Sequence, residues 1–218
     1  MNGDTCMKTR ALLFDFDGTL VDTMEGFADI AGEVIHQFHP EISFEEARRR
    51  YLETSGVPFF QQLEIILPGD PTNSKKAAIF EETKKEGFFR STFSEEVRFV
   101  ITQLRERGIL VGVSSNNFQY LIEQFIEREG LQFDIVLGFK DGFEKGKHHF
   151  EYVLHHFQLK KDELTFVGDS LKDAEKAISN DISFIGLCGT FTKEQFLDKY
   201  PDIITINSLQ ELLEICER

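Results

Sequence analysis

Short apolar runs alternate along the chain with longer segments in which apolar residues recur every three to four positions. Such short runs are typical of strands buried on both faces, and the periodic segments are typical of amphipathic helices. Because helical segments separate the later runs, the pattern predicts an α/β fold with a doubly wound parallel sheet. The predicted strands lie at residues 11–14, 109–113, 134–137, 164–167, 182–187 and 203–206.

The stretch between the first two predicted strands has a different pattern, because from residue 23 to about residue 90 it contains no convincing strand. Its periodicity predicts helices at about residues 24–38, 43–53, 59–67 and 74–90. We interpret this stretch as an all-α domain, a cap, inserted into a core formed by residues 1–22 and 91–218. The triplet Arg48-Arg49-Arg50 is interpreted as a solvated helix face rather than a phosphate site.

Polar groups follow three of the predicted strands at the point where each strand stops. In a parallel sheet these ends lie along one edge, so we expect the groups to converge. A loop with two lysines, just before a predicted helix, adds cations at the same edge. The groups are Asp15 and Asp17 after the first strand, Ser114, Ser115 and Asn116 after the second, Asp169 and Asp173 after the fourth, and Lys145 and Lys147 in the loop.

Two carboxylates at positions i and i+2 are costly to hold together unless a cation lies between them or one keeps a proton. Asp15, ionised beside a metal, can attack phosphorus, and a protonated Asp17 can serve the leaving oxygen as a general acid. Asp-x-Asp alone would favour two solvated or turn-capping aspartates. The longer sequence Asp-Phe-Asp-Gly-Thr-Leu-Val-Asp, residues 15–22, favours the catalytic interpretation.

The net charge of −14, from 38 acidic and 24 basic residues, limits the kinds of partner that the protein can bind. Such a field repels nucleic acid and anionic membranes, so we expect neither as a partner. Three cysteines without a spaced pair (Cys6, Cys188 and Cys216) favour reduced thiols in the cytoplasm. Residues 1–10 lack the apolar stretch of a signal peptide, and no apolar run is long enough to span a membrane.

These motifs together resemble the four signatures of the haloacid dehalogenase superfamily, in the branch related to phosphoglycolate phosphatase and β-phosphoglucomutase. The resemblance covers about 150 residues of core in two pieces around the helical insert. It implies a Rossmann-like sheet with an inserted all-α cap, Mg²⁺ as cofactor and phosphomonoester hydrolysis. It also implies a small phosphorylated metabolite as substrate, and we expect a monomer or a weak homodimer.

The resemblance also implies roles for individual residues. Asp15 matches the nucleophile that becomes an aspartyl-phosphate, and Asp17 matches the general acid and base, with its backbone carbonyl on the metal. Ser114 matches the hydroxyl that donates to phosphate. The remaining implied roles are the turn and backbone contacts of Gly18 and Thr19, anion-binding backbone N–H groups of Ser115 and Asn116 at the start of the next helix, and Mg²⁺ binding by Asp15, Asp169 and, through water, Asp173.

The third signature is a lysine, and the sequence offers both Lys145 and Lys147. The family's frequent Lys-Pro is missing here. Lys145 is favoured for two reasons. The sequence Lys-Gly shortly before a helix that starts with His-Phe is similar to the sequence of relatives. The number of residues between Lys145 and Asp169 is also closer to the usual separation. Lys147 remains the alternative. Either ammonium would offset the repulsion between Asp15 and an incoming phosphate.

Several other functions share parts of this pattern. A phosphomutase would share the core but need cap groups that reorient a bisphosphate, and a phospho-accepting receiver module would be shorter and lack the insert. Dehalogenation is disfavoured because relatives with that chemistry lack the second acid, here Asp17. In the cap, residues 54–59 are the candidate specificity segment.

Two further patterns are not assigned a function. The segment 141–148 is similar to a phosphate-binding loop but lacks its first glycine and its hydroxyl. The pairs His148-His149 and His155-His156 are interpreted as surface or helix-start residues rather than metal ligands, and no Cys/His spacing suits zinc.

Overall fold

The computed structural model describes residues 9–216, apart from the side chain of residue 86. Cys6 and the rest of residues 1–8, with residues 217–218, lie outside the described residues, as does the N-terminal segment for which the expectations above were stated. The described chain divides into two units, one formed by residues 9–20 and 93–216 and the other by Val21–Thr92. Within the described residues, no helix has both the length and the apolar character needed to cross a bilayer.

The first unit contains one sheet of six strands, in the order β3-β2-β1-β4-β5-β6. All five strand pairs are parallel, which confirms the predicted α/β fold. The chain winds outward from β1 to β3 and then returns to β4, on the other side of β1, so the direction of winding switches between β1 and β4. The strands are β1 (Ala11–Phe14), β2 (Leu110–Phe118), β3 (Ile135–Phe139), β4 (Leu164–Gly168), β5 (Ser183–Leu187) and β6 (Ile204–Ile206).

The apolar runs form strands because helices cover both faces of a doubly wound sheet. All four residues of β1 and all five of β4 are buried, as a continuous apolar run requires. The helix before β2 shows how the periodic segments pack: Ser94 accepts a hydrogen bond from the backbone N–H of Val97, and the apolar stripe of that helix is buried. The helices of this unit are α5 (Glu95–Glu106), α6 (Gln119–Glu129), α7 (Lys147–His156), α8 (Leu171–Ile178), α9 (Lys193–Lys199) and α10 (Leu212–Ile215).

Four α-helices joined by short connections make up the second unit. An aromatic cluster of Phe27, Tyr51, Phe59 and Phe80 forms its core, with ring centroids of Phe59 and Phe80 only 4.1 Å apart. The three adjacent arginines pair with acidic side chains of the same unit, as a solvated helix face would. The helices are α1 (Met24–Phe38), α2 (Phe44–Glu53), α3 (Phe59–Ile66) and α4 (Asn73–Phe88), in chain order before α5.

One predicted boundary is wrong in a way that bears on the site. The polar sequence Ser-Ser-Asn-Asn was expected to end the second strand, but β2 continues to Phe118 and α6 begins at Gln119. Ser115 and Asn116 therefore lie inside a strand and do not open a helix. The strand tolerates them because its buried polar groups have partners; the Ser115 hydroxyl, for example, accepts a hydrogen bond from the backbone N–H of Asn117 at 3.0 Å.

Smaller differences affect other ends. β3 extends two residues further than predicted, to Phe139, where the side chain of Gln119 accepts a hydrogen bond from the Gly138 N–H at 2.6 Å. β5 and β6 each begin one residue later than expected. The last predicted helix begins as a 3₁₀ turn, Leu209–Glu211, before α10.

Candidate active site

Asp15 is the first residue after β1, next to the point where the direction of winding switches. Its backbone N–H continues the pairing with β4 by donating to the carbonyl of Val167 at 2.8 Å. Its Oδ1 accepts a hydrogen bond from the backbone N–H of Phe16 at 2.6 Å. The carboxylate is thus buried and held in one orientation at the carboxyl edge of the sheet, where ligands bind in open α/β folds.

Lys145 is the cation that lies beside Asp15. Its Nζ lies 2.7 Å from Asp15 Oδ1 and 2.7 Å from Asp173 Oδ1, and its side chain is only 1% exposed. The next residue, Gly146, precedes α7 with a φ of 109° and a ψ of −128°, a conformation essentially restricted to glycine. A proline, whose φ is fixed at about −65°, could not adopt this φ.

Lys147, the alternative lysine, is not brought to this cluster. It is the first residue of α7, its side chain is 67% exposed, and its Nζ lies 3.8 Å from Glu151 one turn further along the helix. The structure therefore places one of the two candidate ammonium groups against Asp15 and leaves the other at the surface.

Asp169 and Asp173 follow β4 on the loop and first turn of α8. Ser170 caps this helix, and its hydroxyl donates to Asp173 Oδ2 at 2.7 Å. A Cβ at Gly168 would come within 2.8 Å of Asp173, so glycine is required for this close approach. Asp169 Oδ2 accepts a hydrogen bond from the hydroxyl of Thr190, a residue that the sequence analysis did not single out.

The electrostatics of this cluster are dominated by burial and by excess negative charge. Burial raises the pKa of Asp15 well above its ordinary value, Lys145 opposes this rise, and Asp173 and Asp169 add to it. Burial and repulsion from Asp173 raise the pKa of Asp169 to about 7. Burial alone would lower the pKa of Lys145, but the carboxylates of Asp15 and Asp173 outweigh it and raise that pKa. One lysine is therefore paired with more carboxylate charge than it can neutralise.

This charge imbalance fits a bound divalent cation. One oxygen from each of Asp15, Asp169 and Asp173 lies within 4.8 Å of the other two, and all three residues are buried. Carboxylate oxygens are the ligands that hard cations such as Mg²⁺ prefer. A cation held there would offset the repulsion that raises the pKa values of Asp15 and Asp169.

Asp17 and its two neighbours form the turn after β1. The carboxylate of Asp17 lies outside the group of three, and its Oδ2 accepts a hydrogen bond from Asn117 Nδ2, at the end of β2, at 2.6 Å. Gly18 has a positive φ of 79°, as the turn requires. The hydroxyl of Thr19 is buried and has no hydrogen-bond partner among the described residues, so a donor is available in this turn.

Ser114 is buried in the middle of β2, in register with Leu137 of β3. Its Oγ lies 2.8 Å from Nδ1 of His149, in the first turn of α7. His149 lies at the start of α7, one of the two placements expected for it, but it is fully buried, whereas its neighbour His148 is exposed. Burial, reinforced by Lys145, lowers the pKa of His149 to about 3, against a smaller opposing effect from the backbone of Gly138. The imidazole is therefore neutral at physiological pH.

His149, Asn117 and Thr190 are the polar residues near the site that sequence reasoning missed. Each contacts a predicted site residue that is distant in the chain, so no local pattern reveals the pair. The one usable signal was the position of His149, because it is four residues before Val153 and one before Phe150, both on the buried side of α7.

The fold and this arrangement of an aspartate nucleophile candidate, a buried lysine and an acidic pair define a class of hydrolase. The sequence model of haloacid dehalogenase-like hydrolases matches residues 12–187. The chain belongs to this family.

Two relatives and one solved structure are similar to this chain over most of its length. The chain is 25% identical over 225 residues to a phosphoglycolate phosphatase of Vibrio parahaemolyticus, covering 97% of each protein. It is 28% identical over 211 residues to a phosphoglycolate phosphatase of Photorhabdus laumondii, covering 91% of this chain and 88% of the relative. A haloacid dehalogenase-like hydrolase from Streptococcus pneumoniae shares the fold, with a TM-score of 0.79 at 17% identity over 96% of this chain and 99% of that one.

Proposed function

We propose that this protein is a Mg²⁺-dependent phosphatase that hydrolyses a small phosphorylated metabolite through an aspartyl-phosphate on Asp15. The observation that carries the proposal is the buried group of Asp15, Asp169 and Asp173, with Lys145 Nζ at 2.7 Å from the Asp15 carboxylate. Membership of the family supports the same chemistry. The proximity of Asp15 and Asp169 meets the requirement that both reach one ion.

In the first half-reaction Asp15 attacks the phosphorus, the bond from phosphorus to the leaving oxygen breaks, and Asp17 gives that oxygen a proton. In the second half-reaction Asp17, now a base, takes a proton from water, which attacks the phosphorus and restores Asp15. Positive charge from Mg²⁺ held by Asp15, Asp169, Asp173 and the backbone carbonyl of Asp17 would keep the nucleophile ionised and neutralise phosphate charge.

Neutral and cationic donors complete the proposed phosphate site. Lys145 neutralises charge on the equatorial oxygens, where phosphoryl transfer needs stabilisation. The hydroxyl of Ser114 donates to a phosphate oxygen. The proposal assigns further contributions to phosphate binding to Gly18, Thr19, Ser115 and Asn116. Among these residues, the buried Thr19 hydroxyl is the donor that the geometry supports best.

Phosphoglycolate is the first substrate to test, because two relatives are named for its hydrolysis. We assign the helical unit the role of a cap that excludes bulk water and sets substrate choice. Its segment 54–59 remains the candidate specificity segment. Gln62 stabilises this segment, since its amide donates to the carbonyl of Val57 at 3.0 Å and accepts from the Thr54 hydroxyl at 2.9 Å.

The remaining expectations are part of the proposal. A reducing, cytoplasmic location is consistent with the sparse cysteines, and a monomer or weak homodimer is the expected state in solution. The net charge of −14 disfavours nucleic acid and anionic membranes as partners.

The test is phosphate release from a panel that includes phosphoglycolate, pyrophosphate and hexose phosphates, with Mg²⁺ or with EDTA. We expect release only with Mg²⁺, and a loss of at least ~10³-fold in kcat/KM for Asp15→Asn. Borohydride reduction during turnover should convert Asp15, and no other aspartate, to homoserine. Turnover that survives Asp15→Asn would overturn the proposal, and transfer of phosphate to a sugar hydroxyl instead of water would identify a phosphomutase.

A further inference from the structure

The contact between Ser114 and His149 links two elements of the proposed phosphate site. Ser114 lies in the middle of β2, and His149 lies in the first turn of α7, four residues after Lys145. Both side chains are fully buried, and the 2.8 Å between Ser114 Oγ and His149 Nδ1 is a good hydrogen-bond distance. Phe143 packs against the imidazole, with ring centroids 4.7 Å apart, and holds it against the strand.

Only one hydrogen lies between Ser114 Oγ and His149 Nδ1, and its origin decides what Ser114 can do. If Ser114 donates to Nδ1, its single hydrogen is already engaged and cannot be given to a phosphate oxygen. If Nδ1 carries the hydrogen and donates to Oγ, the serine hydrogen is free for a ligand. A neutral imidazole has one N–H, so the choice is between the two tautomers.

The proposed role of Ser114 as a donor to phosphate requires the second tautomer, and the surroundings of the other ring nitrogen are compatible with it. Nε2 of His149 is buried and has no hydrogen-bond partner among the described residues. A hydrogen on Nε2 would therefore be a buried donor without an acceptor, which is rare in folded proteins. With the hydrogen on Nδ1, that donor is used by Ser114 and Nε2 keeps only a lone pair. The hydrogen left unpaired is then that of the serine, and an oxygen of the bound phosphate would accept it.

We propose that His149 is a positioning residue that donates from Nδ1 to Ser114 Oγ and so directs the serine hydrogen toward the substrate phosphate. The inference rests on the proposed function, because that function assigns Ser114 its role as a donor. His149 touches no reacting atom. It acts through the direction of one hydrogen bond and through the link between β2 and the helix that follows Lys145.

The first test needs no activity. Long-range ¹H–¹⁵N correlation spectra of the whole protein, with His149→Asn to assign the signals, report which ring nitrogen carries the hydrogen. We expect His149 to be neutral with the hydrogen on Nδ1. A hydrogen on Nε2, or a cationic ring at neutral pH, would overturn the inference even if the protein is a phosphatase.

The second test compares two substitutions at the same position. His149→Asn keeps a nitrogen donor close to the position of Nδ1, whereas His149→Leu keeps bulk without a donor. We expect kcat/KM to fall roughly 10-fold in His149→Leu and to stay within about threefold of the wild type in His149→Asn. The matched control is His155→Leu, on the exposed side of α7, which should leave kcat/KM unchanged.

The third test separates positioning from a general loss of stability. In a Ser114→Ala background, His149→Leu should have little further effect on kcat/KM, because the hydroxyl that it orients is already gone. An equal loss in both backgrounds, or an equal loss in the asparagine and leucine variants, would contradict the inference. If the wild type releases no phosphate, the proposed function fails and the NMR result still decides the tautomer. If His149→Leu does not fold, the asparagine variant and the NMR result decide whether the inference holds.

Discussion

Two sets of buried polar side chains lie at the same edge of the sheet, and they differ in how their polar atoms are balanced. The carboxylate corner, formed by Asp15, Asp169, Asp173 and Lys145, contains three carboxylates and one ammonium. The hydroxyl corner, formed by Ser114 and His149, contains two groups that are neutral at physiological pH and bond to each other. The first corner has excess charge, and the second has none.

The difference indicates which corner depends on a ligand. A buried charge is stable only when it is paired, so excess carboxylates must take up protons or a cation. The raised pKa values of Asp15 and Asp169 reflect that demand. The hydroxyl corner needs no added charge. We therefore expect cation removal and pH to act mainly on the carboxylate corner, and hydrogen-bond geometry to matter most at the hydroxyl corner.

The largest expected effect comes from removing the Lys145 ammonium, which contacts two carboxylates of the carboxylate corner. Lys145→Met would leave Asp15 and Asp173 buried without their partner, and we expect the free energy of unfolding to fall by roughly 3–5 kcal/mol. Urea denaturation in EDTA at pH 8, where a proton cannot easily replace the lysine, measures it. The control is Lys147→Met, which removes an exposed lysine two residues away and should change stability by less than about 0.5 kcal/mol.

The next effect is a pH dependence of opposite sign at the two corners. The pKa of Asp169 is raised to about 7, so its folded state binds a proton that the unfolded state has lost. Its contribution to stability is present at acidic pH and is lost as the pH rises from about 4 to about 7. The pKa of His149 is lowered to about 3, so its contribution is lost in the other direction, as the pH falls from about 6.5 toward 3.

Urea denaturation of the wild type, Asp169→Asn and His149→Asn between pH 4 and pH 7.5 measures both contributions. Relative to Asp169→Asn, the wild type in EDTA should lose stability with rising pH; relative to His149→Asn, it should lose stability with falling pH. Each slope is at most about 1.4 kcal/mol per pH unit. Mg²⁺ should abolish the first slope and leave the second. If the two slopes had the same sign, or if Mg²⁺ changed both slopes equally, the expected difference between the two corners would be contradicted.

A smaller effect is expected where Asn117 contacts Asp17, outside both corners. Asn117→Leu removes the donor that orients the Asp17 carboxylate at 2.6 Å, and we expect kcat to fall roughly 10-fold with little change in KM. Steady-state kinetics on the best substrate of the panel measure it. In an Asp17→Asn background the same substitution should have almost no further effect; an undiminished loss there would mean that Asn117 acts elsewhere.

The strands and acidic residues of the site could be predicted from the sequence because both are encoded locally. The apolar run of β1 and the aspartates after it are adjacent in the chain, and parallel topology brings their ends to the edge where β4 delivers Asp169. The favoured lysine could be indicated only by resemblance. Its contact with Asp15 depends on a loop conformation at Gly146 that no periodicity reports.

The C-terminal end of β2 and the contact between Ser114 and His149 could not be predicted, and the physical reason is the same for both. A run of serine and asparagine normally ends a strand because its side chains compete for backbone hydrogen bonds. Here those side chains have partners supplied by other segments: His149 for Ser114, and Asp17 for Asn117. The backbone can then remain extended and buried.

The sequence by itself determined the class of fold, the helical insert after the first strand, the four signatures and the two acidic pairs. These follow from spacing along the chain, which apolar periodicity and turn residues report directly. The tertiary structure alone decided that Lys145 rather than Lys147 pairs with Asp15, that His149 is buried against Ser114, and that three carboxylates lie within 4.8 Å of one another. Those features depend on burial and on contacts between distant segments, and both exist only once the sheet has formed.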